Sequence, residues 1–105
     1  MGSRTVLLAE KYLRSGDNLR LRGKFEAAVQ EYAKGLEISP CNEKAWNNKG
    51  VAYAGLGEFE DALKAYGKAI EINPAYAKAW NNKGAAMDRL MRFEEAIKAF
   101  DRQLS

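Results

Sequence analysis

Trp46, Gly50 and Tyr53 fall at steps of four and three, which on a 3.6-residue period is one face of a helix. Gly55-Leu56-Gly57 then interrupts the pattern, as paired glycines do. A second stretch follows with Phe59, Ala62, Leu63, Tyr66, Ala69 and Ile70 at the same three–four spacing. Asn73-Pro74 closes it, because proline has no N–H to donate and the residue before it avoids the helical region. The same alternation on either side predicts helices over 5–21, 25–38, 43–55, 59–72, 77–90 and 93–104, and no strand. The fold class is all-α.

The stretches come in pairs, and the pairs repeat. Displacing the chain by 34 residues puts Trp46 on Trp80, Gly50 on Gly84, Phe59 on Phe93 and Ala62 on Ala96. Residues 43–71 and 77–105 agree at 14 of 29 positions, and Trp46-Asn47-Asn48-Lys49-Gly50 recurs unchanged as residues 80–84. Displaced the other way, Gly16, Phe25, Ala28, Tyr32 and Pro40 meet their counterparts, with 10 identities in 34. Gly16, Gly50 and Gly84 each sit inside a helix, where glycine costs about 1 kcal/mol relative to alanine. Three such losses at one period require a steric reason. Ala28, Ala62 and Ala96, at a constant offset of twelve, are expected to face them, small against small, so that paired helices approach closely.

Composition narrows the function. The chain has 105 residues, 30% of them charged, with no histidine, one cysteine and a formal net charge of +3. Without imidazole there is no Ser–His or Cys–His pair, no histidine-based metal site and no ready general base near neutral pH, so neither enzyme nor cofactor is expected. Lysine and arginine alternate with glutamate and aspartate, and no unopposed cationic stripe suits nucleic acid. No apolar run is long enough for a membrane span, and no secretory leader is evident. The lone Cys41 fits a reducing, cytoplasmic setting.

Tryptophan, glycine four on, tyrosine three on, a central alanine, an aromatic and a closing proline within 34 residues together resemble the tetratricopeptide repeat. The resemblance covers residues 9–105. It departs at Ser15, Lys49 and Lys83, where the family usually has leucine, at Leu19 and Met87, which stand for the tyrosine, and at Met91, which stands for a glycine. It implies a right-handed superhelix of three stacked hairpins, with first helices on a concave face. Residues 1–8 then comprise a tag scar and an extension of the first helix. Repeats occupy 9–42, 43–76 and 77–105, the third truncated and without a separate capping helix.

The family resemblance also implies a groove for an extended peptide, lined by Arg14, Lys44, Asn47, Asn48, Val51, Lys78, Asn81, Asn82 and Arg89, together with Leu13, Asp17 and Ala85. Asn48 and Asn82, one repeat apart, could each pair with a peptide unit, which resembles the asparagine ladder of O-linked N-acetylglucosamine transferase repeats. Equally, either amide could bond the neighbouring helix. The carboxylate clamp that grips acidic chaperone tails is matched at Asn48 and Lys78 only; Leu13, Asp17 and Asn82 replace its other members. The lysines and arginines favour a neutral or acidic protein partner. Trp46 and Trp80 are expected between helices rather than on a binding platform. The alternative function is assembly or spacing within a larger protein, through an apolar strip of Ile97, Phe100 and Leu104 that a homodimer could cover.

Overall fold

The structure, a computed structural model, describes the backbone of residues 2–104 and the side chains of residues 4–103. The described residues form six helices and no strand: α1 (Gly2–Leu21), α2 (Phe25–Ile38), α3 (Glu43–Gly55), α4 (Phe59–Ile72), α5 (Ala77–Arg89) and α6 (Phe93–Leu104). The inner boundaries match the expected ones to within a residue. The start of α1 does not: the helix reaches back to Gly2, so residues expected to be a scar outside the fold continue its first turns. No proline precedes Thr5 to stop it.

Consecutive helices pair as hairpins, α1 with α2, α3 with α4 and α5 with α6, and each hairpin stacks on the next through α2 on α3 and α4 on α5. The first helices also touch one another, α1 with α3 and α3 with α5, whereas α2, α4 and α6 make no such contacts among the described residues. First helices therefore lie on the inner side of a curved row that measures 46 × 27 × 17 Å. This is an all-α solenoid.

Each hairpin turns through the same motif. Lys24, Glu58 and Arg92 donate their backbone N–H to the carbonyls of Leu19, Tyr53 and Met87, at 2.8, 2.9 and 2.8 Å, closing the first helix. The residue before each donor is left-handed: Gly23 and Gly57 at φ 77°, and Met91 at φ 62°. Between hairpins, the Asn42 side chain caps α3 by accepting from the Ala45 N–H at 3.0 Å. The indoles of Trp46 and Trp80 donate to the carbonyls of Pro40 and Pro74, both at 2.7 Å. Trp46 also lies half-buried against the first core cluster.

The atoms nearest each periodic glycine are those of the aromatic ring sixteen residues on, which the spacing alone did not single out. A Cβ on Gly16 would lie 2.7 Å from the ring of Tyr32, one on Gly84 2.7 Å from that of Phe100, and one on Gly50 would overlap the ring of Tyr66. Tyr32 and Tyr66 are 0% and 2% exposed, so neither ring has room to retreat. The alanines also take part in the stacking: Ala28 belongs to one cluster with Ala52 of the next hairpin, and Ala62 to one with Ala86.

Candidate functional site

On the inner side of the row, α1 and α3 leave an open hollow of about 260 Å³. Arg14, Lys44 and Asn48 line it, beside Glu10, Leu13 and Asp17. The helical period accounts for the convergence. Glu10, Leu13, Arg14 and Asp17 follow one another at steps of three, one and three on α1, and Lys44 and Asn48 are four apart on α3.

Asp17 organises the floor of this hollow. Its Oδ1 accepts from the Tyr32 hydroxyl at 2.5 Å and from the Asn48 amide at 3.1 Å, while Arg20 approaches it at 3.6 Å and donates to the Tyr32 oxygen at 3.0 Å. Burial, reinforced by the hydrogen bond to Asp17, holds the Tyr32 hydroxyl protonated well above the usual phenol range. Asn48 is thus fixed by its N–H. Its carbonyl oxygen makes no hydrogen bond among the described residues, and Arg14 and Lys44 are exposed beside it. The arrangement offers an amide acceptor, the cations Arg14 and Lys44, the carboxylates Glu10 and Asp17, and an apolar wall at Leu13.

The remaining expected groove residues do not line this hollow. Asn47 is buried at 4% exposure and points into the stack, where it accepts from Asn82 at 3.0 Å. The two asparagines one repeat apart are therefore not equivalent. Both bond a neighbouring helix, but Asn48 finds a carboxylate at Asp17, whereas the position 31 residues before Asn82 is Val51, which offers no side-chain acceptor, and Asn82 bonds Asn47 instead. Val51 itself is half-buried against the second core cluster. Lys78, Asn81 and Ala85 are exposed on α5, one hairpin further on. Arg89 lies elsewhere: its guanidinium sits 4.9 Å from the centre of the Phe59 ring, over the contact between α4 and α5.

Of the expected apolar strip, Ile97 is 61% exposed, but Phe100 turns into its hairpin against Gly84, and the side chain of Leu104 lies outside the described residues. Met91 and Phe93, 77% and 53% exposed, extend the strip instead. Phe93 was legible beforehand, since it holds the register of Phe25 and Phe59. No described group of histidine, cysteine, aspartate or glutamate side chains is placed to hold a metal ion, and no described helix is long and apolar enough to cross a membrane.

A solenoid of helical hairpins with an open inner hollow defines a repeat-type interaction module. The chain belongs to the tetratricopeptide repeat family. Sequence models described as tetratricopeptide repeat match residues 43–76 and 65–98, and one described as TPR repeat matches residues 16–57. Among solved structures, the first TPR of Spaghetti (RPAP3) bound to the HSP90 peptide SRMEEVD is 32% identical, with a TM-score of 0.90, and the match covers 93% of this chain and 78% of that one. The first TPR domain of human RPAP3 is 31% identical over 94% of this chain and 78% of that chain, at a TM-score of 0.89. MamA is 26% identical at a TM-score of 0.90, over 94% of this chain and 58% of its own. No curated protein sequence is significantly similar to the chain.

Proposed function

We propose that the chain is a non-catalytic interaction scaffold that holds an extended peptide along the inner hollow between α1 and α3. The observation that carries this reading is the convergence there of Arg14, Lys44 and Asn48, with the Asn48 amide already fixed by Asp17 so that its oxygen is presented without further ordering. Arg14 and Lys44, with Glu10 opposing them and Asp17 paired with Arg20, suit a neutral or mildly acidic guest whose peptide N–H groups can donate to the amide acceptor. The peptide seen on the first TPR of Spaghetti (RPAP3) is acidic, which supports that guest class. The absence of histidine from the chain supports a binding role over catalysis.

The test is a titration of isotopically labelled protein with a panel of extended peptides, SRMEEVD and a neutral scramble included, followed by amide chemical shifts. Shifts are expected to concentrate at Arg14, Lys44 and Asn48. Arg14→Ala with Lys44→Ala should weaken binding by about tenfold, a difference of about 1.4 kcal/mol, without loss of helicity. Saturable shifts that map only to the outer helices α2, α4 and α6 would remove the groove from consideration.

A further inference from the structure

At the end of the row formed by the third hairpin, α6 presents Phe93 and Ile97 to solvent at 53% and 61% exposure. Their counterparts one and two repeats earlier, Phe25 and Val29, Phe59 and Leu63, are half-buried under the next hairpin. The exposed strip is therefore the continuation of an interface the molecule uses twice within itself. A surface of that kind favours a helix as its cover.

The opposite end of the row cannot supply it. The helices that dock internally present alanine at the contact, Ala45 and Ala52 on α3, Ala79 and Ala86 on α5, all at most 5% exposed. At the same register α1 carries Lys11 and Asn18, with Arg14 and Arg22 beside them. Exposed apolar residues lie towards its ends, Leu7 and Leu8 at one and Leu21 at the other, and the middle is polar. Seating Lys11 and Asn18 on the apolar strip would bury a charge and an amide without partners. Stacking of one copy head-to-tail on another is disfavoured for that reason.

We infer that the outer face of α6 is a docking surface for a second copy of the chain, placed tail-to-tail about a twofold axis with the two α6 helices antiparallel. The charges flanking the strip fit this arrangement. Glu94 precedes Ile97 by three residues and Lys98 follows it by one; both are exposed, and neither is held in an ion pair among the described residues. Reversing the helix direction sets Glu94 of each copy towards Lys98 of the other, twice over. Such an interface is self-complementary and closes at two copies, whereas head-to-tail contacts would propagate.

Sedimentation velocity of the full chain over a wide concentration series tests this. The expected record is a monomer–dimer equilibrium with nothing larger. Ile97→Lys should raise the dissociation constant by at least about tenfold with the helical circular dichroism unchanged, and Lys11→Glu should leave it alone. Glu94→Lys and Lys98→Glu should each weaken self-association, and mixing the two variants should restore it as a heterodimer. A monomer at every concentration overturns the inference, as does growth beyond the dimer, sensitivity to Lys11→Glu without sensitivity to Ile97→Lys, or a mixture that fails to recover.

Discussion

Gly50 on α3 lies directly under the ring of Tyr66 on α4, so close that a Cβ carbon at position 50 would overlap ring atoms. Tyr66 is 2% exposed and cannot swing aside. Gly67, the next residue on α4, has nothing within 4 Å of the space its Cβ would take. Alanine should therefore act in opposite senses at two helical glycines. Gly67→Ala gains about 0.5–1 kcal/mol from helix propensity. Gly50→Ala gains the same but must displace a buried ring, which costs about 1–3 kcal/mol in a filled core, so the net effect is a loss. Urea denaturation of the two variants checks the signs; a stabilised Gly50→Ala would mean that the ring has room the structure does not show.

Met91 occupies the left-handed position that Gly23 and Gly57 fill in the other two turns. A side chain costs about 1–2 kcal/mol there, and at 77% exposure the methionine has few contacts to lose. Met91→Gly should stabilise the chain by about 1 kcal/mol after allowance for glycine's extra freedom when unfolded, visible as a rise in Tm of several degrees. Gly57→Met should do the reverse.

Asp17 is the shared acceptor for Tyr32 and Asn48. Tyr32→Phe and Asp17→Ala should each destabilise by about 1–3 kcal/mol, because each leaves a partly buried partner without its hydrogen bond. Combining them should cost less than the sum by about 0.5 kcal/mol or more. Strict additivity in a double-mutant cycle would show that the two groups do not act as one network.

With no histidine to titrate, stability is expected to be nearly flat around neutral pH. The alkaline limb is different. Burial pushes the Tyr66 hydroxyl up from 10.0 to about 12, and the Tyr32 hydroxyl is raised as well. A phenol whose folded pKa exceeds its unfolded value gives stability that is complete below the unfolded pKa and is lost as pH rises through the folded one. The melting temperature should therefore fall between pH 10.0 and about 12, in step with tyrosinate absorbance, and Tyr66→Phe should make that fall shallower. A decline beginning well below this window would point to some other group.

The helices, the hairpin pairing and the order of stacking were all legible in the sequence, because a steric device repeated every 34 residues stands out from a single line of letters. Contacts that depend on how far a helix rolls were not. Asn47 and Asn48 are adjacent, about 100° apart on the helix, and that rotation sends one into the stack and the other to the hollow. That the Tyr66 ring is the group nearest Gly50 was not legible, because an offset between antiparallel helices is fixed by how they cross, and spacing alone admits either twelve or sixteen. Asn48 and Asn82 read as equivalent although their acceptors differ, since repetition in one strip of residues says nothing about Asp17 and Val51 on the facing helix. Arg89 looked like a groove cation because its position next to Phe59 arises only once two hairpins stack.

The indole bonds from Trp46 to Pro40 and from Trp80 to Pro74 span the joints between hairpins, one per joint. They make each tryptophan a reporter on its own hinge. Were the hairpins to part before they melt, Trp46 emission would register release of the first unit and Trp80 emission release of the third, so the order in which the row comes apart is written into two fluorophores the chain already carries.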